Sequence, residues 1–137
     1  MSLQVKLCQI DRDGMRGKWF GRAVRMDEVH TEELARNIQR KCTLTTTDVI
    51  AVIDALVGEM KNELGDGRTV VLDGFGRFHL SVQSEVVDRK EDFNVMRHIK
   101  RVLCRFTPDA HRKNLNDRKL VRTFCDDVQL KRNYEEE

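Results

Sequence analysis

The hydrophobic pattern at the start of the chain is that of two strands. Apolar and polar residues alternate along residues 3–10, which is the period of a strand with two unlike faces. A polar segment with two glycines follows, and residues 18–25 return to a strand-like pattern. The pattern therefore predicts an N-terminal β-hairpin within residues 1–30. Its aromatic residues, Trp19 and Phe20, either attach the hairpin to a core or offer rings on which bases can stack.

A helical period replaces this alternation from Thr31 onwards. Thr31 is a suitable N-cap, and two glutamates follow it where the helix dipole favours negative charge. Leu34, Ile38 and Cys42 recur at intervals of four residues. The spacing predicts a short amphipathic helix.

A second helix is predicted from a capping signal at Thr45 to Asp48 through about Leu64. Its apolar residues spread over more than one stripe and are Val49, Ile50, Val52, Ile53, Leu56, Val57, Met60 and Leu64. Such a helix needs more than one packing partner, for example its own sheet and another subunit. The two helices form a helix-turn-helix pair, but the second is too apolar to be a recognition helix that reads a major groove.

A β-hairpin is predicted between residues 65 and 82. Residues 65–67 are Gly-Asp-Gly, which ends the helix in a tight turn because glycine enters positive φ without a Cβ clash. Residues 69–72 are β-branched or aliphatic, and Asp73-Gly74 is a hairpin signal. After the turn, apolar residues alternate with polar ones at Phe78, Leu80 and Val82.

The segment that follows, residues 83–99, lacks a clear period. A helical turn capped by Asp88 is compatible with it, and no glycine or proline marks a hairpin tip. From Ile99 to Phe106 the alternation returns, and the apolar residues stand at even positions from Val102. We therefore expect a strand there.

The end of the chain is predicted to be helical. Thr107 would cap the helix and Pro108 would occupy its first turn. The helix would cover residues 109–124 and lie at the surface, because its apolar stripe is thin. Residues 125–137 form an acidic tail that ends in three glutamates, and we expect it to fray.

Composition narrows the class of protein. A chain of 137 residues with 39% hydrophobic and 35% charged residues suits one soluble domain, and no apolar run reaches the length of a membrane span. The start of the chain lacks a secretory pattern, so a cytoplasmic location is expected. The four cysteines are far apart in sequence and are interpreted as reduced thiols rather than zinc ligands: Cys8, Cys42, Cys104 and Cys125.

The charge of the chain is concentrated in one segment. Residues 89–122 hold 11 basic and 4 acidic side chains, a balance of +7, within a chain whose net charge is +2. A concentrated basic segment is typical of a protein that binds a polyanion. The four histidines are scattered and no catalytic set of residues is visible, so an enzyme is not expected.

The order of these elements resembles the bacterial HU and integration host factor family of histone-like DNA-binding proteins. The residues that carry the resemblance lie in two helices, a glycine-rich turn and a later Phe-x-Pro entry, within about residues 31–122. The specific residues of these turns are Gly74, Phe75, Gly76, Phe78, Phe106 and Pro108. Together with residues 1–30 and 125–137, which lie outside the general match, the chain is similar to the HU-related subgroup described in Bacteroidetes.

The resemblance implies an α+β fold with an HU-like body in residues 31–124. That body would consist of the helix pair, the β-hairpin with its arm, and a C-terminal helix, with the N-terminal hairpin added. It also implies an intertwined homodimer whose sheets form a saddle over the DNA minor groove. One departure concerns the arm tip, where the family carries a proline that wedges between base pairs. Residues 88–97 hold no proline or glycine, and a wedge there would be Phe93 or Met96.

The predicted function is therefore that of a nucleoid-associated homodimer that binds duplex DNA with little sequence preference. The predicted phosphate contacts are Arg97, Lys100, Arg101, Arg105, Arg112, Lys113 and Arg118. The first four lie on or next to the return strand, where Arg97, Arg101 and Arg105 would form a ladder, and the others lie on the last helix. The alternative is a dimeric scaffold of the same fold that binds protein partners. We expect no cofactor, metal, membrane or small-molecule substrate in either case.

Overall fold

The computed structural model describes residues 2–134. The last three glutamates of the predicted acidic tail lie outside the described residues. Two compact units divide the chain, one formed by both ends and the other by Thr31–Phe124. The helices and strands follow the order β1 (Ser2–Gln9), β2 (Trp19–Ala23), α1 (Thr31–Gln39), α2 (Thr46–Gly65), β3 (Val70–Leu72), β4 (Gly76–Ser84), α3 (Val95–His98), β5 (Ile99–Pro108), β6 (Ala110–Arg112), β7 (Leu120–Arg122) and β8 (Gln129–Arg132).

The unit formed by both ends, which we call the terminal sheet, has the strand order β2-β1-β8. β1 pairs with β2 in antiparallel fashion and with β8 in parallel fashion. The backbone N–H of Asn133 extends the second pairing by donating to the carbonyl of Val5 at 2.9 Å. The expectation that the tail frays is therefore wrong for residues 129–132, because the free edge of β1 satisfies their backbone groups.

The two helices, α1 and α2, are joined by a short turn that is held by side chains. Thr45 and Asp48 form the predicted capping box at the start of α2. Gln39, the last residue of α1, accepts a hydrogen bond from the backbone N–H of Thr46 at 2.8 Å. Helix α1 ends at this residue, so Cys42 lies beyond the helix and not on its apolar face as predicted. The glutamine and the threonine cap together fix where one helix stops and the next begins.

The central sheet of the larger unit is antiparallel, with the order β3-β4-β5. β3 and β4 form the predicted hairpin, and β4 continues into a long pairing with β5 that we call the arm. The register places Phe78 opposite Phe106 and Val82 opposite Val102. The predicted set of apolar residues at even positions of β5 therefore shares one face with the apolar residues of β4.

The tip of the arm lies between β4 and β5. A single 3-10 turn covers Lys90–Asp92, and the one-turn helix α3 follows, capped by the side chain of Asn94. The predicted cap at Asp88 is wrong. The 3-10 turn begins after Arg89, whose side chain makes no capping bond, and the capping side chain stands six residues after Asp88. A residue with a short polar side chain directly before a helical turn is the better cap because its oxygen reaches the orphan N–H groups.

The predicted C-terminal helix is absent from residues 109–124. Pro108 is the last residue of β5, and β6 and β7 form a hairpin in place of the helix. Asp109 anchors this hairpin, because its backbone N–H donates to the carbonyl of Phe75 at 3.0 Å and its own carbonyl accepts from Thr123 at 2.9 Å. Backbone bonds to residues far along the chain outweigh the local preference for a proline-started helix, whose thin apolar stripe offered little packing energy.

The hydrophobic core of the protomer is thin. In the described part of the chain the buried hydrophobic residues are Ala35, Val49 and Leu64, and no large side chain is fully buried. All three belong to the helix pair, where α2 also contacts β3 and β4. No helix between residues 2 and 134 is both long enough and apolar enough to cross a bilayer.

Candidate nucleic-acid interface

The polar face of the arm brings two predicted contact residues together. Arg101 lies opposite Gln83 and Arg105 lies opposite His79, so both arginines share one face of the sheet. The Nε of Arg101 donates to the side-chain oxygen of Gln83 at 2.7 Å, a bond that joins β5 to the opposite strand β4. Arg77, opposite Thr107, stands on the same face closer to the base of the arm.

The paired strands of the arm contain no carboxylate. β4 and β5 carry four cations, Arg77, Lys100, Arg101 and Arg105, and no aspartate or glutamate. The carboxylates of this region are all in the tip between the strands, at Glu85, Asp88, Glu91 and Asp92. The electrostatic potential along the paired strands is therefore positive, and it is opposed only at the tip.

Two other predicted residues of this region lie elsewhere. Arg97 belongs to α3 and not to a strand, so the predicted ladder of three arginines is wrong and only Arg101 and Arg105 form it. Lys100 has no partner in the register, because the pairing of β4 with β5 shifts between Gln83 and Ser84, and so it does not extend the ladder. The ladder is shorter because the capping bond of Asn94 keeps the chain helical up to His98.

The last three predicted contacts lie on the β6–β7 hairpin instead of a helix. Arg112 ends β6, and Lys113 and Arg118 lie in the connection to β7. That connection contains a tight turn, in which the backbone N–H of Asp117 donates to the carbonyl of Asn114 at 3.0 Å. Asparagine and aspartate favour such turns, which explains why this polar stretch does not continue as a helix.

An aromatic cluster joins the segment after the β6–β7 hairpin to the base of the arm. Phe75 lies 5.8 Å from Phe106 and 5.5 Å from Phe124, measured between ring centroids, and Phe78 stacks on Phe106 at 4.6 Å. Gly74 has φ of 75°, a conformation that favours glycine and lets the chain turn. The prediction that Phe75 is a core residue is wrong for the single protomer, because 46% of its surface is exposed.

The tip of the arm presents apolar side chains to solvent. Met96 is 90% exposed on α3. Phe93 is only 36% exposed, because its ring lies 5.4 Å from that of His98. Of the two residues that could replace the family's proline, Met96 is therefore the more accessible.

Sequence reasoning did not single out Arg77, His79 and Gln83 as members of the basic face. The alternation along β4 placed Arg77 and His79 on the wet side of the strand, whereas Gln83 fell in the segment without a clear period. Only the register with β5 shows that these residues share a face with Arg101 and Arg105. Phe124 was missed as well, because it was expected near the end of a surface helix. Among the described residues, no cluster of three or more histidine, cysteine, aspartate or glutamate side chains could hold a metal ion.

A helix pair that leads into a two-stranded arm defines this protein as HU-like. Residues 1–122 match the HU-HIG family, described as an HU domain fused to a wHTH, Ig or glycine-rich motif. The chain belongs to this family. The match starts at residue 1, so it includes the N-terminal segment that was expected to lie outside the general resemblance to HU.

Individual relatives agree with this assignment. The chain is 40% identical over 48 residues to integration host factor subunit alpha of Actinobacillus succinogenes, an alignment that covers 35% of this chain and 49% of that protein. A solved structure from Bacteroides vulgatus, described as a candidate bacterial DNA-binding protein, superposes with a TM-score of 0.57 at 12% identity. It covers 77% of this chain and 41% of that one, and it shows a shared fold. The chain thus spans about half or less of the length of each of these relatives.

Proposed function

We propose that the protein is a nucleoid-associated, cytoplasmic DNA-binding protein that acts as a homodimer. It would hold duplex DNA by the phosphate backbone, with little preference for sequence. Membership of the HU-HIG family supports the class of ligand. The observation that carries the proposal is the arm, whose paired strands hold four cations and no carboxylate.

The geometry of the arm favours backbone contacts over base readout. Arg101 and Arg105 stand four residues apart on one face, roughly 13 Å along the strand, which is a distance over which several phosphates are available. Contacts to phosphates position a protein on DNA but carry no direct sequence information. The remaining contacts would come from Arg97 on α3 and Lys100 at the outer end of β5.

The β6–β7 hairpin extends this basic surface beyond the base of the arm. Residues 110–122 carry five lysines and arginines and one aspartate. Arg112, Lys113 and Arg118 lie at or near its turn. We propose that they contact phosphates of the same duplex.

The homodimer is supported by apolar surface that one protomer leaves uncovered. On α2, Val52 is 57% exposed and Val57 is 60% exposed. On the apolar face of the arm, Val82 and Val102 are 59% and 60% exposed. A protomer with three buried hydrophobic residues in its described part and this much exposed apolar surface would be stabilised by a second copy.

The salt dependence of DNA affinity tests the proposal. Fluorescence anisotropy of a labelled duplex is measured at several salt concentrations for the unchanged protein and for the variant R101Q/R105Q. Each lost phosphate contact lowers the slope of log affinity against log salt by about 0.9, so four contacts in a dimer lower it by up to about 3.6. The affinity for all duplex sequences should fall alike.

A matched control removes the same charge elsewhere. Arg40 and Lys41 are exposed residues after α1, and R40Q/K41Q should leave the slope unchanged. An equal fall in both variants would mean that only net charge matters and that the arm is not the interface. If the unchanged protein gives no saturable DNA signal, the alternative function, a dimeric scaffold that binds protein partners, is favoured instead.

A further inference from the structure

The terminal sheet has two faces of different chemistry. The pairing of Leu7 with Gly21 and of Leu3 with Leu130 puts these residues on one face. The geometry at Gly21 agrees, because a Cβ there would come within 3.0 Å of Val5 Cγ1, a side chain of the same face. This face is apolar, since its members are Leu3, Val5, Leu7, Trp19, Gly21, Ala23 and Leu130, with Arg132 and Gln9 at its ends.

The opposite face of the terminal sheet is basic. Lys6 lies directly opposite Arg22, and Lys131 lies opposite Gln4 on the other side of β1. Each of the three strands thus contributes one cation to the same face, and β8 is distant from the other two in sequence. The other strand residues on it are Ser2, Gln4, Cys8, Phe20 and Gln129, none of which is acidic.

Among the described acidic residues of this unit, none occupies a strand position on this face. Asp11 and Asp13 are in the turn between β1 and β2, where Arg16 lies 3.3 Å and 3.7 Å from their carboxylates. Asp126 and Asp127 precede β8.

We propose that this basic face binds the phosphate backbone of duplex DNA, as a second contact surface besides the arm. The inference rests on the proposed function and assigns a role to the two ends of the chain. The side chains of Lys6 and Arg22 stand about 5 Å apart at their Cβ atoms, and Lys131 on β8 lies opposite Gln4, two residues before Lys6. Long cationic side chains at this spacing suit a ligand that carries one negative charge about every 3.4 Å along each strand.

A duplex fits the face better than an acidic peptide or a lipid surface for two reasons. The cations project from a two-dimensional array of strands, whereas an acidic peptide would need a groove or a free strand edge to bind in extended form. A membrane surface would call for exposed apolar side chains on the same side as the cations, and here most of them lie on the opposite face.

The experiment compares two triple variants that remove the same charge. K6Q/R22Q/K131Q removes the three cations of the basic face. The control, R12Q/R25Q/R132Q, removes three cations of the same unit that are not strand residues of that face. Salt titrations with a labelled duplex should show the slope falling by up to about 2.7 for each protomer in the first variant. The control variant should keep the slope of the unchanged protein.

A pair of single variants guards against misfolding. Lys131 and Arg132 are neighbours on β8 and point to opposite faces. K131Q should lower the salt slope by about 0.9 for each protomer, and R132Q should leave it unchanged. Melting curves check that both variants fold.

The outcomes separate this inference from the proposed function. If R101Q/R105Q lowers the slope but K6Q/R22Q/K131Q matches its control, the terminal sheet does not bind DNA while the arm still does. If neither variant changes a saturable signal, or no such signal exists, the proposed function fails too. If K6Q/R22Q/K131Q lost affinity for single-stranded DNA but not for duplex DNA, the assignment to duplex DNA would be wrong. That result would point to bases stacked on Phe20.

Discussion

The ring of Phe106 occupies the space that a side chain on residue 76 would need. A Cβ added to Gly76 would come within 2.5 Å of Phe106 Cε2 and within 2.5 Å of the carbonyl oxygen of Thr107. Gly76 also has φ of 151°, which residues with a side chain rarely adopt. Residue 76 is therefore glycine because Phe106 and the backbone of β5 lie too close to it for a side chain to fit.

The Gly76→Ala variant should lose stability. Positive φ and the clash with a backbone oxygen each act against the alanine, and we expect a loss of about 1–3 kcal/mol in the free energy of unfolding. Gly58→Ala is the matched control, because Gly58 lies inside α2 with nothing within 4 Å of an added Cβ. It should gain about 0.5–1 kcal/mol in chemical denaturation. Equal stability of the two variants would contradict the close approach of the strands.

The dimer should depend on the exposed apolar stripe of α2. Val57→Asp places a charge on a residue that is 60% exposed in one protomer, so it should disrupt association while sparing the core of the helix pair. Because a protomer with so small a hydrophobic core couples folding to association, partial unfolding at micromolar concentration is expected as well. Light scattering over a dilution series gives the mass, and circular dichroism gives the helix content.

The control for this dimer prediction is Asn62→Asp, which adds the same charge to the polar side of α2 and should keep the mass of a dimer. A stable, folded monomer of the unchanged protein at micromolar concentration would be incompatible with the prediction.

The stability of α2 should depend on pH through Asp48. The hydrogen bond from the side chain of Thr45, followed by that from its backbone N–H, lowers the pKa of Asp48 below its ordinary value of 3.8. A carboxyl whose pKa is lower in the folded state stabilises the protein above about pH 4, and this contribution is lost as pH falls through the lowered pKa. Asp48→Asn should therefore be less stable than the unchanged protein at pH 7, and the difference should shrink below pH 4.

The capping role has its own control in the threonines. Thr45→Ala removes the cap and the side-chain donor to Asp48 but keeps the backbone donor, and it should cost roughly 0.5–2 kcal/mol near neutral pH. Thr47→Ala makes the same chemical change inside the first turn of the helix and should not destabilise it. Thermal melts across pH for the four proteins provide the measurement. A constant gap between Asp48→Asn and the unchanged protein from pH 7 to pH 3 would refute the assignment.

DNA bending by this protein should be weak. The arm tip carries four carboxylates and no proline, so its approach to the minor groove is opposed by phosphate repulsion. We expect little increase in the ring closure of short DNA fragments, and no further change in Met96→Ala or in the control Phe93→Ala. Strong ring closure that is lost only in Met96→Ala would instead identify the exposed methionine as a wedge.

Local features of the chain were predictable from the sequence. The capping box of Thr45 and Asp48, the turn at Gly74 and the alternation around Phe78 each depend on residues within a few positions of one another. Caps, turns and strand periods are set by such short-range contacts, so the order of elements up to Val82 follows from the sequence. A count of charges along the chain also indicated a basic segment at residues 89–122.

The tertiary structure alone decided where the end of the chain goes. Thr107-Pro108 is a good local signal for a helix, yet Asp109 bonds to Phe75 and Thr123, and β8 pairs with β1 across more than 120 residues of sequence. Cross-strand register decided which cations share a face, both for Arg101 with Gln83 and for Lys131 with Gln4. Backbone groups that find partners far along the chain override weak local propensities, and a periodic pattern does not contain that information.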